Sequence, residues 1–389
     1  MKKKFLLISD NKILGVGGGS LEEHKYYDGL KNYCQEHNCE LKVLSIDEEL
    51  AEALVKDIRK TRILDVASRV FGHSTYMYFI WKKYKKTITD YEPNVIILGR
   101  SRFGFIAKDI KRILPKCKVV CNMENIEFDY VDGYFANTTN KIKKIYIAIE
   151  KWCVKRDERE AIIYSDALDY LTKRDFRRAH ELYKVKNKRE MILPICIETE
   201  TNLTLNSDKK TVVFIGSLNY GSNVDALINF INKVWIPHFL KTKELQLVIG
   251  GSNPNEKIRE LTKKISNCTL YDNFASLEDI VPINSMVIAP IQKGAGMKVK
   301  VAETLSMGLM IAASDEALVG YEKILECDKM GSIIRANSSD EYKKAIISYL
   351  EKTDDDMLQI SNQNKNLYRK QYSYNISRQR IAELCKDML

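Results

Sequence analysis

Long apolar runs and paired cysteines are both missing from this sequence of 389 residues. No run approaches the roughly 20 consecutive apolar residues that a membrane-spanning helix needs. The nine cysteines form no Cys-x-x-Cys pair and no cluster with histidine at zinc spacing. Free thiols in a reducing cytoplasm are therefore favoured over a disulfide framework or a metal site.

Excess positive charge is confined to the first half of the chain. The net charge is +10; residues 1–195 hold 38 Lys and Arg against 28 Asp and Glu, whereas residues 196–389 hold 24 of each. Two segments, 81–86 and 108–118, are especially basic. Solvated helix faces would explain either segment alone, but the asymmetry indicates that the N-terminal half meets an anionic partner. Nucleic acid is disfavoured, because the basic residues are spread over many helical patterns with no recognisable module.

Short apolar runs alternate with longer helical patterns, and the runs fall into two series. The first comprises residues 4–9, 40–46, 94–99, 118–122, 161–165 and 190–194, and the second comprises residues 211–217, 245–251, 268–273, 285–290 and 309–314. Such alternation predicts βαβ units with parallel sheets. We expect an α/β fold with two Rossmann-like, doubly wound domains at residues 1–195 and 211–365, joined by a polar linker at 196–210. Residues 366–389 are predicted to form a C-terminal helix.

Glycine-rich loops follow three strands of the second series, at residues 214–223, 248–253 and 289–298. In open α/β sheets, ligands bind beyond the carboxyl ends of the strands, so we expect these loops to share one ligand-binding edge. The segment QKGAGMKVKVAETLSMG at 292–308 is the most informative, because each glycine destabilises a helix start by up to about 1 kcal/mol relative to alanine. Close approach of a ligand to this backbone would explain them.

The start of this helix presents groups suited to a nucleotide diphosphate. We expect the helix to begin near Met297, where free N–H groups and the positive end of the helix dipole form an anion site. Lys300 lies about one turn beyond Gly296, and Glu303 follows Lys300 on the same face. Lys298 is expected to point the opposite way. The amides and the ammonium suit a diphosphate, the carboxylate suits the hydroxyls of a ribose, and an ordinary surface ion pair remains the alternative.

Four stretches of the second half, at 214–235, 247–254, 270–280 and 289–314, carry a family resemblance. In order and spacing they resemble the donor-binding domain of retaining, family 4-type glycosyltransferases of the GT-B fold, of the bacterial surface-polysaccharide type. This resemblance implies two facing Rossmann-like domains. It also implies that the C-terminal helix crosses back to the N-terminal domain.

The resemblance assigns roles around the expected donor site. Glu303 would bind the donor ribose, and Lys300 would contact the diphosphate. The other donor-binding positions implied are Gly216, Ser217, Gly250, Asn273, Phe274, Gly294, Ala295, Gly296, Met297 and Lys298. Many family members carry a glutamate at the position of Ala295, so here only backbone amides around Ala295 remain to hold the sugar. The loop SLNYGSN lacks the Arg and Lys that relatives often carry, which leaves more of the phosphate charge to Lys300.

Two N-terminal elements resemble the acceptor side of the same family. Residues 17–33 look like its glycine-rich loop and first helix, and His24 of that helix is a candidate facing the interdomain cleft. Residues 124–130 look like a His-Asn-Val-Glu element in which Glu124 occupies the histidine position. The acceptor-side loop would comprise Gly17, Gly18 and Gly19. The candidate catalytic residues are therefore Lys300, Glu303, Glu124 and His24.

The resemblance implies a hexosyltransferase-type enzyme that moves a sugar from a nucleotide diphosphate sugar, UDP being favoured over GDP. The acceptor would be a glycan or lipid-linked molecule in surface-polysaccharide synthesis, and the configuration would be retained. No cofactor and no metal would be required, because cations of the protein replace a divalent ion. The protein would be cytoplasmic, with its basic N-terminal half at the anionic inner face of the cell membrane as a peripheral protein.

Two functions from other classes stay open: a sugar-nucleotide epimerase on the same fold, and a non-catalytic GT-B subunit that partners an active transferase. A nicotinamide dehydrogenase is disfavoured, since GVGGGS at 15–20 matches the dinucleotide fingerprint only in part and lies five residues beyond the preceding strand. Residues 74–86 combine aromatic and basic side chains. They predict either a core helix with a solvated end or an interfacial helix at a membrane.

Overall fold

A computed structural model describes residues 2–15, 17–47, 49–56, 58–186, 188–198 and 200–389, without the side chains of Tyr134, Ala136 and Asn137. The chain divides into two units. The first comprises Met1–Cys196 and Tyr374–Leu389, and the second comprises Ile197–Ser373. Each unit contains one six-stranded parallel sheet flanked by helices, as expected for two Rossmann-like α/β domains.

The sheet of the first unit has the strand order β2-β1-β3-β4-β5-β6. Its strands are β1 Lys4–Ile8, β2 Glu40–Leu44, β3 Val95–Leu98, β4 Lys118–Met123, β5 Ala167–Tyr170 and β6 Arg189–Ile192. The helices are α1 Gly18–Glu36, α2 Arg62–Val70, α3 Met77–Tyr91, α4 Gly104–Ile113, α5 Glu127–Asn137, α6 Lys141–Tyr164 and α7 Lys173–Tyr183, with a short 3-10 helix at Ser101–Phe103. Helices cover both sheet faces, and the central strand β3 is accordingly apolar and buried throughout.

One strand of the first series was predicted wrongly. Residues 161–165 are not a strand but the last turn of α6 and its cap, and the strand follows at Ala167–Tyr170. The helical repeat of α6 explains the error, because Ala161 and Ile162 continue the buried face that includes Val154 and Glu158. Ile163 is half-exposed, which a strand buried on both faces would not allow.

The sheet of the second unit has the strand order β12-β11-β10-β7-β8-β9. Its strands are β7 Lys210–Ile215, β8 Leu245–Gly251, β9 Cys268–Asp272, β10 Met286–Ala289, β11 Met310–Ala313 and β12 Ile333–Arg335. The helices are α8 Gly221–Phe230, α9 Ile236–Phe239, α10 Glu256–Thr262, α11 Val299–Met307, α12 Glu322–Cys327, α13 Ser339–Leu350 and α14 Asp354–Gln371. A π-helix at Ile231–Trp235 joins α8 to α9, and a 3-10 helix spans Leu277–Asp279. The three-residue strand β12 was not predicted.

The C-terminal helix that was predicted over 366–389 is two helices in the structure. Residues up to Gln371 complete α14 in the second unit, and α15 Tyr374–Met388 belongs to the first. Within the second unit, the N–H of Ile197 donates to the carbonyl of Tyr372 at 2.9 Å, and Ile197 forms a parallel bridge with Ser373. Most of the predicted linker, from Ile197 onward, is therefore part of the second unit.

Helix α15 packs closely on α1 inside the first unit. A Cβ added to Gly29 would lie 2.6 Å from a methyl carbon of Ile381, so only glycine permits this approach. Arg378 donates two hydrogen bonds of 2.7 Å to the carboxylate of Asp28, a bidentate pair that fixes the orientation of the helices. None of the helices in the described ranges has the length and apolar content of a membrane span.

Candidate functional site

The loop between β10 and α11 carries the group of residues singled out in the sequence. Helix α11 begins at Val299, two residues later than expected, and Lys298 occupies the N-cap position. Gly296 adopts a φ of 61°, a left-handed conformation that glycine reaches without steric cost. This turn places Lys300 in the first turn of α11, at the carboxyl edge of the second sheet.

Lys300 is a buried lysine beside a glycine turn. Its Nζ lies 3.2 Å from the amide oxygen of Asn223 and 4.4 Å from the ring centroid of Phe214. A Cβ added to Gly216 would lie only 3.1 Å from the same nitrogen. Burial lowers the pKa of Lys300 to about 8, with Glu303 opposing the change. The ammonium has three donors and gives one to Asn223, which leaves donors for an anionic ligand.

Glu303 lies one turn further along α11 and is partly buried. Burial raises the pKa of its carboxyl, and the neighbouring charge of Lys300 lowers it. Among the described residues, no side chain or backbone group hydrogen-bonds or ion-pairs with this carboxylate. Its oxygens are therefore available to accept hydrogen bonds from a ligand. The surface ion pair between Lys300 and Glu303, which was the alternative interpretation of their spacing, is not formed.

Lys298 has a different task from Lys300. Its Nζ donates to the carbonyls of Ala295 and Gly296 at 3.1 and 3.0 Å, and it pairs with Glu316 at 3.0 Å. These contacts hold the loop before α11 together and neutralise the charge. The expectation that Lys298 and Lys300 point apart agrees with these separate partners.

The other expected donor-site positions lie around the carboxyl ends of β7 and β8. A Cβ added to Gly250 would lie 3.0 Å from the ring of Phe274 and 2.3 Å from Ile280, so the phenyl ring covers a bare backbone. Asn273 has a φ of 54° and accepts a 3.3 Å hydrogen bond from the N–H of Asn253. The hydroxyl of Ser217 donates to Asn219 at 2.7 Å.

Met297 and Gly294 complete the loop before α11. Met297 packs against the backbone of Gly320, where an added Cβ would lie 2.6 Å from its side chain. Gly294 and Ala295 are exposed. The loop is therefore anchored at its helix end and open where the sequence predicts the sugar.

At the carboxyl edge of the first sheet, Glu124 lies beside the first turn of α1. Gly17 adopts a φ of 118° and caps α1, which begins at Gly18. Of the predicted acceptor-side loop, Gly18 and Gly19 are therefore helical. A Cβ added to Gly19 would lie 3.1 Å from Nη2 of Arg100 and 3.4 Å from a carboxylate oxygen of Glu124, so this end of α1 and Glu124 are neighbours.

His24, the other acceptor-side candidate, packs against two tyrosine rings. Its ring lies 5.7 Å from that of Tyr374 in an edge-on arrangement and 6.4 Å from that of Tyr27. These are packing contacts between α1 and the start of α15. Among the described residues, Tyr27 and Tyr374 are the aromatic contacts of His24. Neither contact places His24 beside Glu124.

Three charged residues beside Glu124 were missed by the sequence reasoning. Nε of Arg100 lies 3.3 Å from an oxygen of Asp10 and 3.3 Å from an oxygen of Glu124. Asn11 donates to Glu23 at 3.4 Å, and Glu23 lies against the backbone of Gly99. Their positions in the sequence could have identified them, because Asp10, Arg100 and Glu124 each come shortly after a strand of one parallel sheet.

This cluster of Asp10, Glu23, Arg100 and Glu124 holds three carboxylates and one guanidinium. One oxygen of each carboxylate is buried without a well-formed hydrogen bond, and those of Asp10 and Glu124 face Nε of Arg100 as ion pairs. Burial raises the pKa of Glu124 to about 7 and the pKa of Glu23 well above its usual range. Glu23 is closed to solvent, and Glu124 is the most exposed carboxylate of the cluster. Among the described residues, no group of His, Cys, Asp and Glu has the arrangement of a metal site.

A sequence family covers the region around Lys300. Residues 209–352 match the family model described as "Glycosyl transferases group 1". A curated relative, the "Uncharacterized 44.6 kDa protein in cps region" of Klebsiella pneumoniae, is 23% identical over 237 residues. That alignment spans 58% of this chain and 58% of the relative's length.

Solved structures match nearly the whole chain. A glycosyltransferase from Rickettsia africae has a TM-score of 0.66 at 14% identity, with 100% of this chain and 98% of that chain covered. WaaG, a glycosyltransferase involved in lipopolysaccharide biosynthesis, has a TM-score of 0.66 at 12% identity and coverage of 97% and 98%. Alr3699/HepE of Anabaena, solved with UDP, has a TM-score of 0.63 at 10% identity and full coverage of both chains. The chain therefore has the GT-B fold, and residues 209–352 of its second unit are similar to the glycosyl transferases group 1 family.

Proposed function

We propose that this protein transfers a sugar from a nucleotide diphosphate sugar to an acceptor hydroxyl. The observation that carries the proposal is the start of α11, where buried Lys300 and unpartnered Glu303 lie next to the glycine turn at Gly216. This arrangement lies inside the segment that matches the glycosyl transferases group 1 model.

The donor is held by charge and by backbone groups. The ammonium of Lys300 and the free N–H groups at the start of α11 bind the diphosphate, and they stabilise the negative charge that develops as it leaves. Glu303 accepts hydrogen bonds from the ribose hydroxyls. Amides around Ala295 hold the sugar. Transfer of a hexosyl group with retention of configuration is the reaction that the resemblance implies.

UDP is the nucleotide that we favour. The HepE structure was solved with UDP and, in a second crystal, with UDP-glucose. A thermal-shift panel of UDP, GDP and their sugars tests this choice, because a ligand at 100 times its dissociation constant adds about 2.7 kcal/mol of stability. Stabilisation by uridine nucleotides and not by guanosine nucleotides is expected. No stabilisation by any nucleotide would contradict the donor site.

The acceptor is a glycan or a lipid-linked glycan in surface-polysaccharide synthesis. Glu124, the most exposed carboxylate of its cluster, supplies a hydrogen-bond acceptor for sugar hydroxyls, and the names of the cps-region relative and of WaaG support this class of pathway. The protein would work at the cytoplasmic face of the membrane. An epimerase would release the epimer without any acceptor, and a non-catalytic subunit would turn nothing over, so product analysis with and without acceptor separates the three.

Metal-independent transfer is part of the proposal. Lys300 and the helix start supply the positive charge that a divalent cation would otherwise bring to the leaving diphosphate. Activity should persist in excess EDTA. Complete loss on chelation, with recovery on addition of magnesium or manganese, would contradict this part and reopen the assignment of Lys300.

A further inference from the structure

One face of α6 is apolar and exposed over its first three turns. Ile142, Ile145, Ile149 and Trp152 follow one another at spacings of three and four residues, which places them on one stripe. Their exposed fractions are 82%, 65%, 45% and 60%. The opposite face of α6 is buried in the first unit. The exposed stripe is therefore not used in packing α6 against the rest of the first unit.

Helix α2 lies beside α6 and carries a second stripe. Ile63, Val66 and Val70 recur at the same helical spacing and are 79%, 53% and 83% exposed, and Phe71 follows them at 53%. A Cβ added to Gly72, the next residue, would lie 3.2 Å from the Trp152 ring, so the two stripes meet there. These eight side chains, the α2–α6 surface, include seven of the nine large apolar residues that are more than half exposed in the described chain.

Basic side chains surround the α2–α6 surface. Lys141, Lys143, Lys144 and Lys155 of α6 are exposed, and none is ion-paired within the described part of the chain. Nζ of Lys82 lies 5.6 Å from the ring centroid of Phe71. The acidic residues nearby are engaged elsewhere, since Asp65 and Glu150 both pair with Arg69.

The segments that the sequence identified as basic are largely neutralised in the structure. Residues 81–86 and 108–118 were expected to meet the anionic partner. Most of their basic side chains form ion pairs: Lys85 and Arg112 with Asp109, Lys86 with Asp90, Lys108 with Glu160, and Lys111 and Lys118 with Asp166. On α6, by contrast, Lys141, Lys143, Lys144 and Lys155 are exposed without an ion pair among the described residues.

We propose that the α2–α6 surface docks the protein on an anionic lipid bilayer. This deepens, and rests on, the membrane location in the proposed function. An apolar stripe with a lysine border is the pattern of a helix that lies in the membrane interface, and tryptophan is favoured at that depth. The apolar side chains enter the headgroup region, and the lysines contact lipid phosphates.

A second copy of the chain fits this surface less well. A symmetric dimer through the same face would bring two sets of unpaired lysines together, and like charges brought close without counter-charge repel. An anionic bilayer offers the opposite sign over the whole surface. Charge complementarity therefore selects the bilayer.

Flotation with vesicles tests the proposal. The protein should float with mixed phosphatidylcholine–phosphatidylglycerol vesicles at low salt, and remain in solution with pure phosphatidylcholine. Lys141→Gln/Lys143→Gln/Lys144→Gln should weaken partitioning on the order of 100-fold, at about 1 kcal/mol for each lysine. The matched control Lys86→Gln/Lys108→Gln/Arg112→Gln removes the same charge from ion-paired positions and should bind nearly as the wild type. Equal losses in both triple variants would overturn the assignment of the surface.

The apolar stripe has its own test. Ile142→Gln/Ile145→Gln changes two highly exposed side chains, so the fold is not at risk, and partitioning should fall on the order of tenfold or more. Leu358→Gln, an exposed apolar residue of α14, is the control and should have no effect. A dimer in light scattering that the double variant abolishes, without any vesicle binding, would overturn the proposal in favour of self-association.

Tryptophan fluorescence reports insertion directly. Of the three tryptophans, Trp81 and Trp235 are buried and Trp152 is exposed. Anionic vesicles should shift the emission to shorter wavelength in the wild type and not in Trp152→Phe. An unchanged spectrum in the wild type would overturn the insertion of α6. Because nucleotide stabilisation in the thermal-shift panel does not involve this surface, failure of docking and failure of the donor site are distinguishable.

Discussion

At the carboxyl edge of the second sheet, the groups available to a ligand are glycine backbone, one buried ammonium and one unpartnered carboxylate. At the carboxyl edge of the first sheet, the carboxylates of Asp10, Glu23 and Glu124 lie around a single arginine, and Glu124 is the most exposed of the three. The same architecture thus carries a buried cation in one unit and an excess of carboxylates in the other, and the proposed function assigns the cation to the leaving diphosphate and the carboxylates to the acceptor. Glycosyl transfer needs both, because an anionic diphosphate leaves and a hydroxyl attacks.

The strongest test of this contrast is removal of the ammonium. Lys300→Ala should lower the rate of transfer by roughly 100- to 1000-fold, the usual loss for one pre-aimed group that stabilises developing charge. Steady-state kinetics measures it. Lys298→Ala is the control, and because that lysine holds loop carbonyls and Glu316, its effect on rate should be smaller. The reverse ranking would contradict the assignment of the two lysines.

Removal of the carboxylate should act on affinity. Glu303→Ala is expected to weaken nucleotide binding roughly 10- to 100-fold, since a hydrogen bond to a charged group contributes about 1.5–3 kcal/mol. Calorimetry with UDP measures the change. Glu316→Ala removes a carboxylate that is already paired with Lys298 and should bind UDP nearly as the wild type does. An unchanged affinity in the Glu303 variant, with the fold intact, would exclude the ribose contact.

Alkaline pH should weaken donor capture. Burial lowers the pKa of Lys300 to about 8, and a lysine is charged below its pKa, so the favourable charge is present below pH 8 and is lost as pH rises. The value of kcat/KM for the donor should fall about tenfold per pH unit above that point. Lys300→Arg should flatten this limb, because arginine stays charged throughout the range. An identical pH profile in that variant would assign the limb to another group.

The smallest effect is expected at the carboxyl edge of the first sheet, where substitution of Glu124 should change the free energy of unfolding. Burial raises the pKa of Glu124 to about 7, so its contribution to stability is full below its usual pKa of 4.5 and is lost as pH rises through 7. Glu124→Gln removes this loss. The variant should gain about 1–3 kcal/mol relative to the wild type between pH 5 and pH 8, as measured by urea unfolding. An equal difference at both pH values would contradict ionisation of Glu124.

Much of the second unit could be predicted because its signals are local. Apolar runs ending in glycine mark β7 and β8, a glycine-rich loop follows β10, and the spacing from Gly296 to Glu303 sets the helix face. The predicted start of α11, near Met297, was two residues too early, because lysine is not a residue type that marks an N-cap in a sequence. Strand β12 was missed because three residues give too short a period to recognise.

The first unit shows what local patterns leave undetermined. Residues 161–165 have the composition of a strand, yet their position on the buried face of α6 makes them helical. The ion pair between Lys85 and Asp109 joins α3 to α4, and the neighbours of Glu124 follow different strands. Such contacts depend on tertiary structure, so a count of charges along the chain does not show which basic side chains are ion-paired.

The hydrogen bond between Ile197 and Tyr372 has a practical consequence for protein engineering. The second unit is one uninterrupted insertion in the first, and its two ends meet side by side. Residues 197–373 can therefore be excised as a single module without leaving distant loose ends, and the first unit needs only a short splice between Cys196 and Tyr374. Nucleotide recognition and membrane docking, which we assign to different units, could then be studied on separate polypeptides.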